Sequence, residues 1–320
     1  MRNKTNLIFD HDGSQRIDQF LADKYMDYSR TYFQNLIESK DILVNGAPIK
    51  ANYKLKNKDK IEINFIEKTS EYDLKPANIK LDIIFENDDV IVINKQPGIV
   101  VHPAAGNKEN TLVNALVNYF PEIEKAVYDQ DSEISRIRPG LVHRLDKDTS
   151  GVMIVAKNAR AMHSLSRQIQ NRNVVKKYVA ICYGLPKNEK GTLTNFLGRH
   201  PKNRKLIAEV GESKGKIAIS NYHFLKNFLH EKNSLSLIGF DIKTGRTHQI
   251  RVQAKMMGCS VLGDRVYGSR ESIKYSDQHG ISRQMLHAKE LTITLPGEDK
   301  PSKFEAALPE DFDKVLKSIT

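Results

Sequence analysis

The chain has 320 residues, of which 39% are hydrophobic and 28% charged, so the disordered class is excluded and a sizeable core is expected. Its two cysteines are too few for a disulfide framework or a multi-cysteine metal site, and its longest apolar runs are too short to span a bilayer. The polar N-terminus does not resemble a signal peptide, so we expect a cytoplasmic protein. The net charge of +11 indicates a polyanionic partner.

Residues 1–70 are predicted to form a small separate unit of two helices followed by short strands. Apolar residues at helical spacing predict helices around residues 17–21 and 33–37, and Ser29 is the expected N-cap of the second helix. Asn45-Gly46 follows the apolar run of residues 42–44 and predicts a hairpin turn. The polar segment at residues 71–78 is predicted to be a linker.

Residues 79–320 show strand and helix patterns that do not alternate strictly. We therefore predict an α+β fold with a mixed, mostly antiparallel sheet and flanking helices. Strands are predicted at residues 79–85, 90–93, 152–156, 178–183, 235–242 and 291–295. Helices are predicted near residues 112–119, after Asn158 as far as residue 169, and at residues 250–257, where Gly258 ends the helix.

The positive charge is concentrated in one part of the chain. Residues 131–210 carry a net charge of +10, whereas residues 1–80 carry +2. A solvated basic surface explains a mild imbalance, but this concentration favours a binding channel for a polyanion.

A glycine-bounded loop at residues 140–151 brings together His143, Asp146 and Asp148. It is open to three interpretations. It is an ordinary solvated turn, or Asp146 is a nucleophile held as a carboxylate by a nearby arginine, or the three side chains are ligands of a metal ion.

The segment at residues 243–251 links a predicted strand to a predicted helix. In a purely structural interpretation, Gly245 or Thr247 caps the helix, and Arg246 and Arg251 are surface cations. A cation at a helix N-terminus is electrostatically unfavourable, however, unless an anion lies opposite it. We therefore predict that Arg246 grips Asp146 through its planar fork and keeps that carboxylate ionised.

Tyr178 opens an apolar strand behind two lysines. A tyrosine at such a position packs in the core, or stacks on a base beside a basic groove. The loop after residue 198 carries Arg199, Lys202, Arg204 and Lys205 without an apolar anchor. It is either a solvated loop or a contact for RNA phosphates.

The sequence offers no recognisable cofactor motif. Residues 211–216 resemble a phosphate-binding loop, but the spacing is one residue short and Ile217 stands where Ser or Thr is needed. No GxGxxG opens a helix and no His-x-x-x-His occurs. We therefore expect neither a nucleotide cofactor nor a metal.

Several segments in register resemble one enzyme family. The three main ones are His143-Arg-Leu-Asp-Lys-Asp-Thr-Ser-Gly, Tyr178 behind its lysine pair, and Gly245-Arg-Thr-His-Gln-Ile-Arg, with supporting matches at residues 95–98, 101–103, 263–268 and 285–288. The chain resembles the RluA family of RNA pseudouridine synthases on these motifs. Residues 102–107 and 198–201 are most similar to its RluD branch, which modifies large-subunit ribosomal RNA.

The N-terminal unit resembles the RNA-binding module of ribosomal protein S4. The resemblance rests on Arg16-Ile-Asp-x-Phe-Leu, Ser29-Arg and Val44-Asn-Gly. Lys40-Asp41 stands where that module usually has a glycine before the strand, which leaves the form of this turn open.

The resemblance implies roles for individual residues in uridine isomerisation. Asp146 matches the family's catalytic aspartate, and Arg246 matches the arginine that holds it. Tyr178 and Leu286 match the residues on either side of the uracil. Arg144 matches the arginine that fills the gap left by a flipped nucleotide, while His143 and Asp148 are expected to support the loop.

The resemblance further implies a large-subunit ribosomal RNA substrate, no cofactor and a chain that acts as a monomer. Two other functions stay open at this point. A metal-dependent RNA hydrolase would use Asp146 and Asp148, and chelation would abolish its activity. A non-catalytic RNA-binding or ribosome-assembly protein would bind RNA and give no carbon-linked product.

Overall fold

The structure is a computed structural model that describes residues 2–11, 13–25, 30–66, 74–104, 106–128 and 133–320. Contacts divide the chain into two units. The small unit comprises residues 1–75 and 127–139, and the large unit comprises residues 76–126 and 140–320. The expected Ser29 cap and residues 71–73 of the expected linker lie outside the described residues, and the predicted domain limits stay a prediction.

The elements alternate irregularly between strands and helices. The strands are β1 Arg2–Ile8, β2 Ile42–Val44, β3 Ala47–Pro48, β4 Lys60–Ile66, β5 Ile83–Glu86, β6 Val90–Lys95, β7 Ser150–Ala156, β8 Val175–Tyr183, β9 Lys190–Arg199, β10 Ile207–Glu209, β11 Lys216–His230, β12 Asn233–Ile242, β13 Ser260–Val261, β14 Leu286–Thr294 and β15 Pro301–Glu305. The α-helices are α1 Ile17–Lys24, α2 Arg30–Glu38, α3 Leu112–Tyr119, α4 Glu133–Arg136, α5 Ala159–Gln170, α6 Gln249–Met256, α7 Arg270–Gln278 and α8 Glu310–Ile319. Two 3-10 helices cover Pro121–Lys125 and Glu212–Lys214.

The small unit packs α1 and α2 against a four-stranded antiparallel sheet of order β1-β4-β2-β3. Both predicted helices and the hairpin turn are confirmed, and Asn45 and Gly46 take the positive φ values of 52° and 77° that this turn requires. The turn left open at Lys40 is made by Lys40 itself at φ 63°. The core of the small unit consists of Phe9, Ile17, Phe20, Leu21, Phe33, Leu36, Ile37, Ile42, Val44, Leu55, Ile61 and Ile63.

Strand β1 was not expected from the sequence. Its seven residues are mostly polar, and it pairs along its full length with β4 at the edge of the small sheet. Because residues 2–6 are all polar, the sequence lacks the alternation of apolar residues that is typical of a half-buried strand.

The large unit is built on a sheet whose main path is β10-β9-β11-β12-β8-β14-β7-β6-β5, with β13 and β15 attached to β8 and β14. Among the described residues, every strand pairing in this sheet is antiparallel except that of β14 with β7. The prediction of an α+β fold with a mixed, mostly antiparallel sheet is confirmed. Among the described residues, none of the helices has both the length and the apolar composition needed to cross a bilayer.

Two local predictions in the large unit are confirmed, and two are wrong in detail. Asn158 caps α5 by accepting a hydrogen bond from the Ala161 amide, and Gly258 follows α6 at φ 77°. The strand predicted at residues 79–85 is shorter, with bounds 83–86. Neither Gly245 nor Thr247 caps α6, because His248 occupies the cap in a left-handed conformation at φ 55° without a side-chain cap bond.

The parallel pairing of β7 and β14 fixes the chain on either side of the predicted catalytic loop. Gly151 lies directly opposite Ala288 at φ 122°, and a Cβ at this position would lie 2.2 Å from the Ala288 oxygen. Next to it, fully buried His287 lies 2.9 Å from the Ser150 hydroxyl through Nδ1 and 3.2 Å from the Ala306 oxygen through Nε2. A neutral ring satisfies both contacts by accepting at Nδ1 and donating from Nε2.

Mild acid is expected to destabilise the chain through His287. Burial lowers the pKa of His287 from 6.5 to about 4, so at pH values between them the unfolded chain binds a proton that the folded chain does not. The free energy of unfolding should fall by about 1.5 kcal/mol from roughly pH 6.5 to 5 because of this residue. Denaturant titrations at several pH values measure this slope.

The variant His287→Asn should lose that part of the pH dependence. The exposed His163→Asn is the control and should keep the wild-type slope. Equal slopes in wild type and His287→Asn would show that His287 is not the group responsible.

Candidate active site

The residues predicted to carry the chemistry line one cavity of about 530 Å³ that opens to solvent, which we call the Asp146 cavity. Asp146, Tyr178 and Arg246 all line it, together with the predicted substrate contacts Arg144 and Leu286. Arg144 is exposed, whereas Leu286 is buried. The other lining residues are Leu145, Thr149, Ile242, Gly245, Thr247, His248, Gln249, Ile250 and Arg251.

The predicted phosphate-binding loop lies elsewhere, between β9 and β10. Arg199, Lys202, Arg204 and Lys205 are all exposed, and none of them lines the Asp146 cavity. The guanidinium of Arg199 donates a hydrogen bond to the backbone oxygen of Arg204, which closes the loop on itself. Their role as RNA contacts stays a prediction.

The carboxylate of Asp146 is held by a cation from α6. Nη1 of Arg251 lies 3.1 Å from Oδ2 of Asp146, and Nε2 of His248 lies 4.0 Å from the same oxygen. The side chains of Asp146 and Arg251 are only 18% and 7% exposed, so this ion pair is weakly screened by solvent.

The prediction that Arg246 grips Asp146 is wrong. Nε of Arg246 donates instead to the backbone oxygen of Ile217 at 2.9 Å, and within the described parts of the chain no ion pair joins Arg246 to Asp146. Arg246 precedes α6, and the left-handed turn at His248 separates it from the helix. Arg251 lies in the first turn of α6 and is buried, which rules out the purely structural interpretation of it as a surface cation.

Arg251 is fixed by a second carboxylate on its other side. Its Nε and Nη2 donate to the two oxygens of Asp264 at 2.7 and 2.9 Å, which leaves Nη1 for Asp146. Burial raises the pKa of Asp264, but Arg251 and the amides of Tyr267 and Val266 outweigh it, so the pKa lies below its usual range. The guanidinium also lies 5.1 Å from the centre of the Tyr267 ring.

Tyr178 presents its ring to the cavity from the middle of the sheet. Burial raises the pKa of Tyr178 far above its usual value, and the nearby charge of Asp146 raises it further. The phenol is therefore neutral at physiological pH. A neutral aromatic ring that faces a carboxylate across a cavity can stack on a planar base without competing for the arginine.

The loop that carries Asp146 is supported by its backbone and by His143. Nε2 of His143 accepts a hydrogen bond from the Ile154 amide at 3.1 Å, and burial lowers the pKa of His143 to about 3, so this imidazole is neutral. The backbone oxygen of Asp148 accepts a hydrogen bond from Arg283 at 3.1 Å. Both contacts fit the expected supporting role of these two residues.

The same loop is poorly suited to hold a metal ion. The Nε2 lone pair of His143 already faces a backbone donor, and Arg251 occupies the carboxylate of Asp146. Within the described residues, a group of potential ligand atoms less than 4.8 Å apart occurs at His230, Glu231 and His279, none of which lines the Asp146 cavity.

A buried lysine ties the loop to the neighbouring segment. Lys95 is 2% exposed, and its ammonium donates to the backbone oxygens of Gln96, Ile99 and Lys147 at 2.8, 3.0 and 2.9 Å. Burial lowers the pKa of Lys95 to about 7, and the charges of Asp148 and Asp146 oppose that shift. In the sequence, residues 95–98 are identifiable only as a motif match. The three acceptors of Lys95 are backbone oxygens, which any residue type provides, so the sequence does not predict this contact.

Comparison with known proteins assigns both parts of the chain to described families. A family model described as RNA pseudouridylate synthase matches residues 89–256, which is more than half of the chain. A second model, the S4 domain, matches residues 15–61.

Full-length relatives carry the same description. An RNA pseudouridine synthase of Chlorobaculum parvum is 40% identical over 317 residues, covering 95% of this chain and 94% of the relative. The protein named ribosomal large subunit pseudouridine synthase D of Escherichia coli is 34% identical and covers 98% and 93%. The solved structure titled Human RNA Pseudouridylate Synthase Domain Containing 1 has the same fold, with a TM-score of 0.55 and 23% identity over 75% of this chain and 94% of that one.

Removal of Arg251 should destabilise the large unit far more than removal of Arg246. In Arg251→Met, the 1% exposed carboxylate of Asp264 loses its ion pair, and breaking a buried pair in this way costs about 3 kcal/mol or more. Arg246→Met removes the same charge from the same segment and should cost about 1 kcal/mol, because only one hydrogen bond to a carbonyl is lost. Denaturant titration measures both values.

The double variant Arg251→Met/Asp264→Asn should recover part of the loss, because it no longer buries an unpaired charge. Equal stabilities of Arg251→Met and Arg246→Met would show that the pair with Asp264 contributes little.

Proposed function

The chain belongs to the RNA pseudouridylate synthase family, and from that membership we propose that it isomerises specific uridines of large-subunit ribosomal RNA to pseudouridine. The observation that carries the proposal is that Asp146, paired with the guanidinium of Arg251, lines one cavity with Tyr178. The names of the Escherichia coli and Haemophilus ducreyi relatives, both ribosomal large subunit pseudouridine synthase D, support the substrate.

The reaction breaks the bond between uracil N1 and ribose C1′, rotates the base, and forms a bond between C5 and C1′. The proton leaves C5 and N1 gains one, so no electron is gained or lost overall. Routes by attack on the sugar, by attack on the base, or through a stabilised sugar cation all require an ionised carboxylate. We assign that carboxylate to Asp146, with Arg251 stabilising its charge in the partly buried cavity.

The walls of the Asp146 cavity suit a planar base. We assign Tyr178 to stacking on the uracil and Leu286 to the apolar wall beside it. A uridine inside a folded RNA cannot reach such a cavity unless it is flipped out of its stack. We assign Arg144, which is exposed and lines the cavity, to the gap left in the RNA.

The small unit provides a second contact with RNA. Asp18 is fully buried, and its carboxylate accepts from Arg16 at 2.9 Å and from Arg30 at 2.9 Å. These arginines are 37% and 43% exposed, so Asp18 holds two cations at the surface in a fixed arrangement. Although burial opposes it, hydrogen bonds from Arg16, Gln34 and Arg30 lower the pKa of Asp18 to about 2. Arginines fixed in this way suit RNA phosphates.

We also propose that the chain acts in the cytoplasm, where ribosomal RNA is found, without a cofactor and as a monomer. The two earlier alternatives are not favoured. A metal-dependent hydrolase lacks a suitable ligand arrangement at Asp146, and a protein that only binds RNA does not need a carboxylate locked by a shared arginine.

The variant Asp146→Asn tests the assignment. The amide is nearly isosteric with the acid but carries no charge, so pseudouridine formation should fall by at least about 10³-fold while RNA binding is retained. Pseudouridine mapping in large-subunit ribosomal RNA and in transfer RNA, with and without the protein, measures the activity and identifies the substrate.

Asp148→Asn is the matched control, because Asp148 lies in the same loop and its backbone oxygen, which accepts from Arg283, is unchanged by the substitution. It should retain activity. Substantial pseudouridine formation by Asp146→Asn would remove Asp146 from its role, and modification confined to transfer RNA would contradict the proposed substrate.

A further inference from the structure

A second cavity adjoins the Asp146 cavity and is lined by five cationic side chains. It has a volume of about 880 Å³ and opens to solvent. Within the part of the chain that the structure describes, none of its lining residues is Asp or Glu. We call it the cationic cavity, and its charged residues are Arg144, Arg172, Lys176, Lys243 and Arg246.

Lys176 and Arg246 are only partly exposed, whereas Arg144, Arg172 and Lys243 are exposed. Burial lowers the pKa of Lys176, and the neighbouring charge of Arg246 lowers it further. Among the described residues, its ammonium has no hydrogen bond or ion pair with an acceptor. Two partly buried positive charges without a carboxylate are unfavourable unless an anion joins them.

The next residue on β8 shows what a paired lysine looks like in the same strand. Side chains alternate between the two faces of a strand, and Lys177 forms an ion pair with Glu290 at 2.8 Å. Lys176 has the opposite orientation and lines the cationic cavity. The two lysines are neighbours in one strand and have the same side chain, but only Lys177 has an acidic partner.

Arg246 faces the same cavity with part of its guanidinium available. Its Nε is satisfied by the backbone oxygen of Ile217, and within the described chain no carboxylate pairs with it. The sequence placed this cation before a helix N-terminus, where it is unfavourable unless an anion lies opposite. Asp146 is paired with Arg251 instead. The anion expected opposite Arg246 is therefore not a side chain of this site.

The two cavities share part of their walls. Arg144, Tyr178, Ile242, Gly245 and Arg246 line both. A phosphate bound in the cationic cavity would therefore belong to a nucleotide next to the one held beside Asp146. A third cavity, which adjoins the first and is lined by Arg144, Asp146, Asp148 and Arg283 among others, has charges of both signs and suits an anion less well.

We propose that the cationic cavity binds a backbone phosphate of the RNA strand directly beside the target uridine, and that Lys176, Arg246, Lys243 and Arg172 are its binding residues. The proposal rests on the proposed function for the identity of the polyanion. It gives Arg246 a role in holding the strand, separate from the pairing of Asp146.

The test compares Lys176→Met with Lys177→Met as a matched control. Each variant loses one positive charge from the same strand, and the probe is an RNA stem-loop that contains a uridine modified by the wild-type protein. Lys176→Met should weaken binding by about tenfold and reduce the slope of log Kd against log salt by about one. Lys177→Met should leave both values near those of the wild type.

A double-mutant cycle identifies the phosphate. One phosphate at a time, on either side of the target uridine, is replaced by a neutral methylphosphonate, and each RNA is bound to wild type and to Lys176→Met. The two changes should be non-additive at one flanking phosphate and additive elsewhere. The exposed Lys243→Met provides a second variant if Lys176→Met unfolds.

Three outcomes would overturn the proposal. The first is equal salt slopes for Lys176→Met and Lys177→Met, and the second is additivity at every phosphate tested. The third is competition by inorganic phosphate that depends on Lys176 without coupling to any RNA phosphate, which would assign the cavity to a small free anion. Failure of the proposed function is recognised separately, because the wild-type protein would then form no pseudouridine in any RNA.

Discussion

The guanidinium of Arg251 is shared by two carboxylates from distant parts of the large unit. Asp264 takes two of its donors and Asp146 takes a third. A planar group with its donors in fixed directions can do this only if all three residues are held at set positions. The arrangement therefore imposes one geometry on helix α6, on the segment after β13 and on the loop before β7. The rest of the site depends on that geometry.

Contacts elsewhere in the large unit hold the loop that carries Asp146 in place. Lys95 fastens the loop through Lys147, and His143 fastens it to Ile154 in β7. The close contact of Gly151 with Ala288 then joins β7 to β14, which carries Leu286 on the cavity wall. Because each support is a backbone contact or is fully buried, the carboxylate is positioned before any substrate arrives. Preorganised charge of this kind needs little reorganisation during the reaction.

The contrast between local and distant interactions explains how much could be predicted from the sequence. The Asn45-Gly46 turn and the Asn158 cap depend on a few adjacent residues, and both were predicted correctly. The pairing of β1 with β4 joins residues about 60 positions apart, and the ion pair of Arg251 with Asp146 joins residues 105 positions apart. Neither contact was predicted.

The error at Arg246 has a specific cause. Its motif contains two arginines, and which of them faces Asp146 depends on where the helix begins. The left-handed conformation of His248 sets that start, and His248 carries no glycine-like signal for it. Asp146, Tyr178 and Leu286, which the family resemblance implied for one site, do line one cavity.

The cationic side chains around the site are of two kinds. Arg251 donates from Nε, Nη1 and Nη2 to the carboxylates of Asp264 and Asp146, so it stabilises charges of the protein itself. Lys176 and Arg246 line the cationic cavity without carboxylate partners among the described residues, so under our proposal a phosphate of the RNA compensates their charge. Under the two proposals, the presence or absence of an acidic partner separates the cation that serves the reaction from those that hold the strand. A site that must keep one carboxylate charged while it attracts a polyanion needs this separation, because an arginine shared between the two tasks would lose the carboxylate whenever RNA bound.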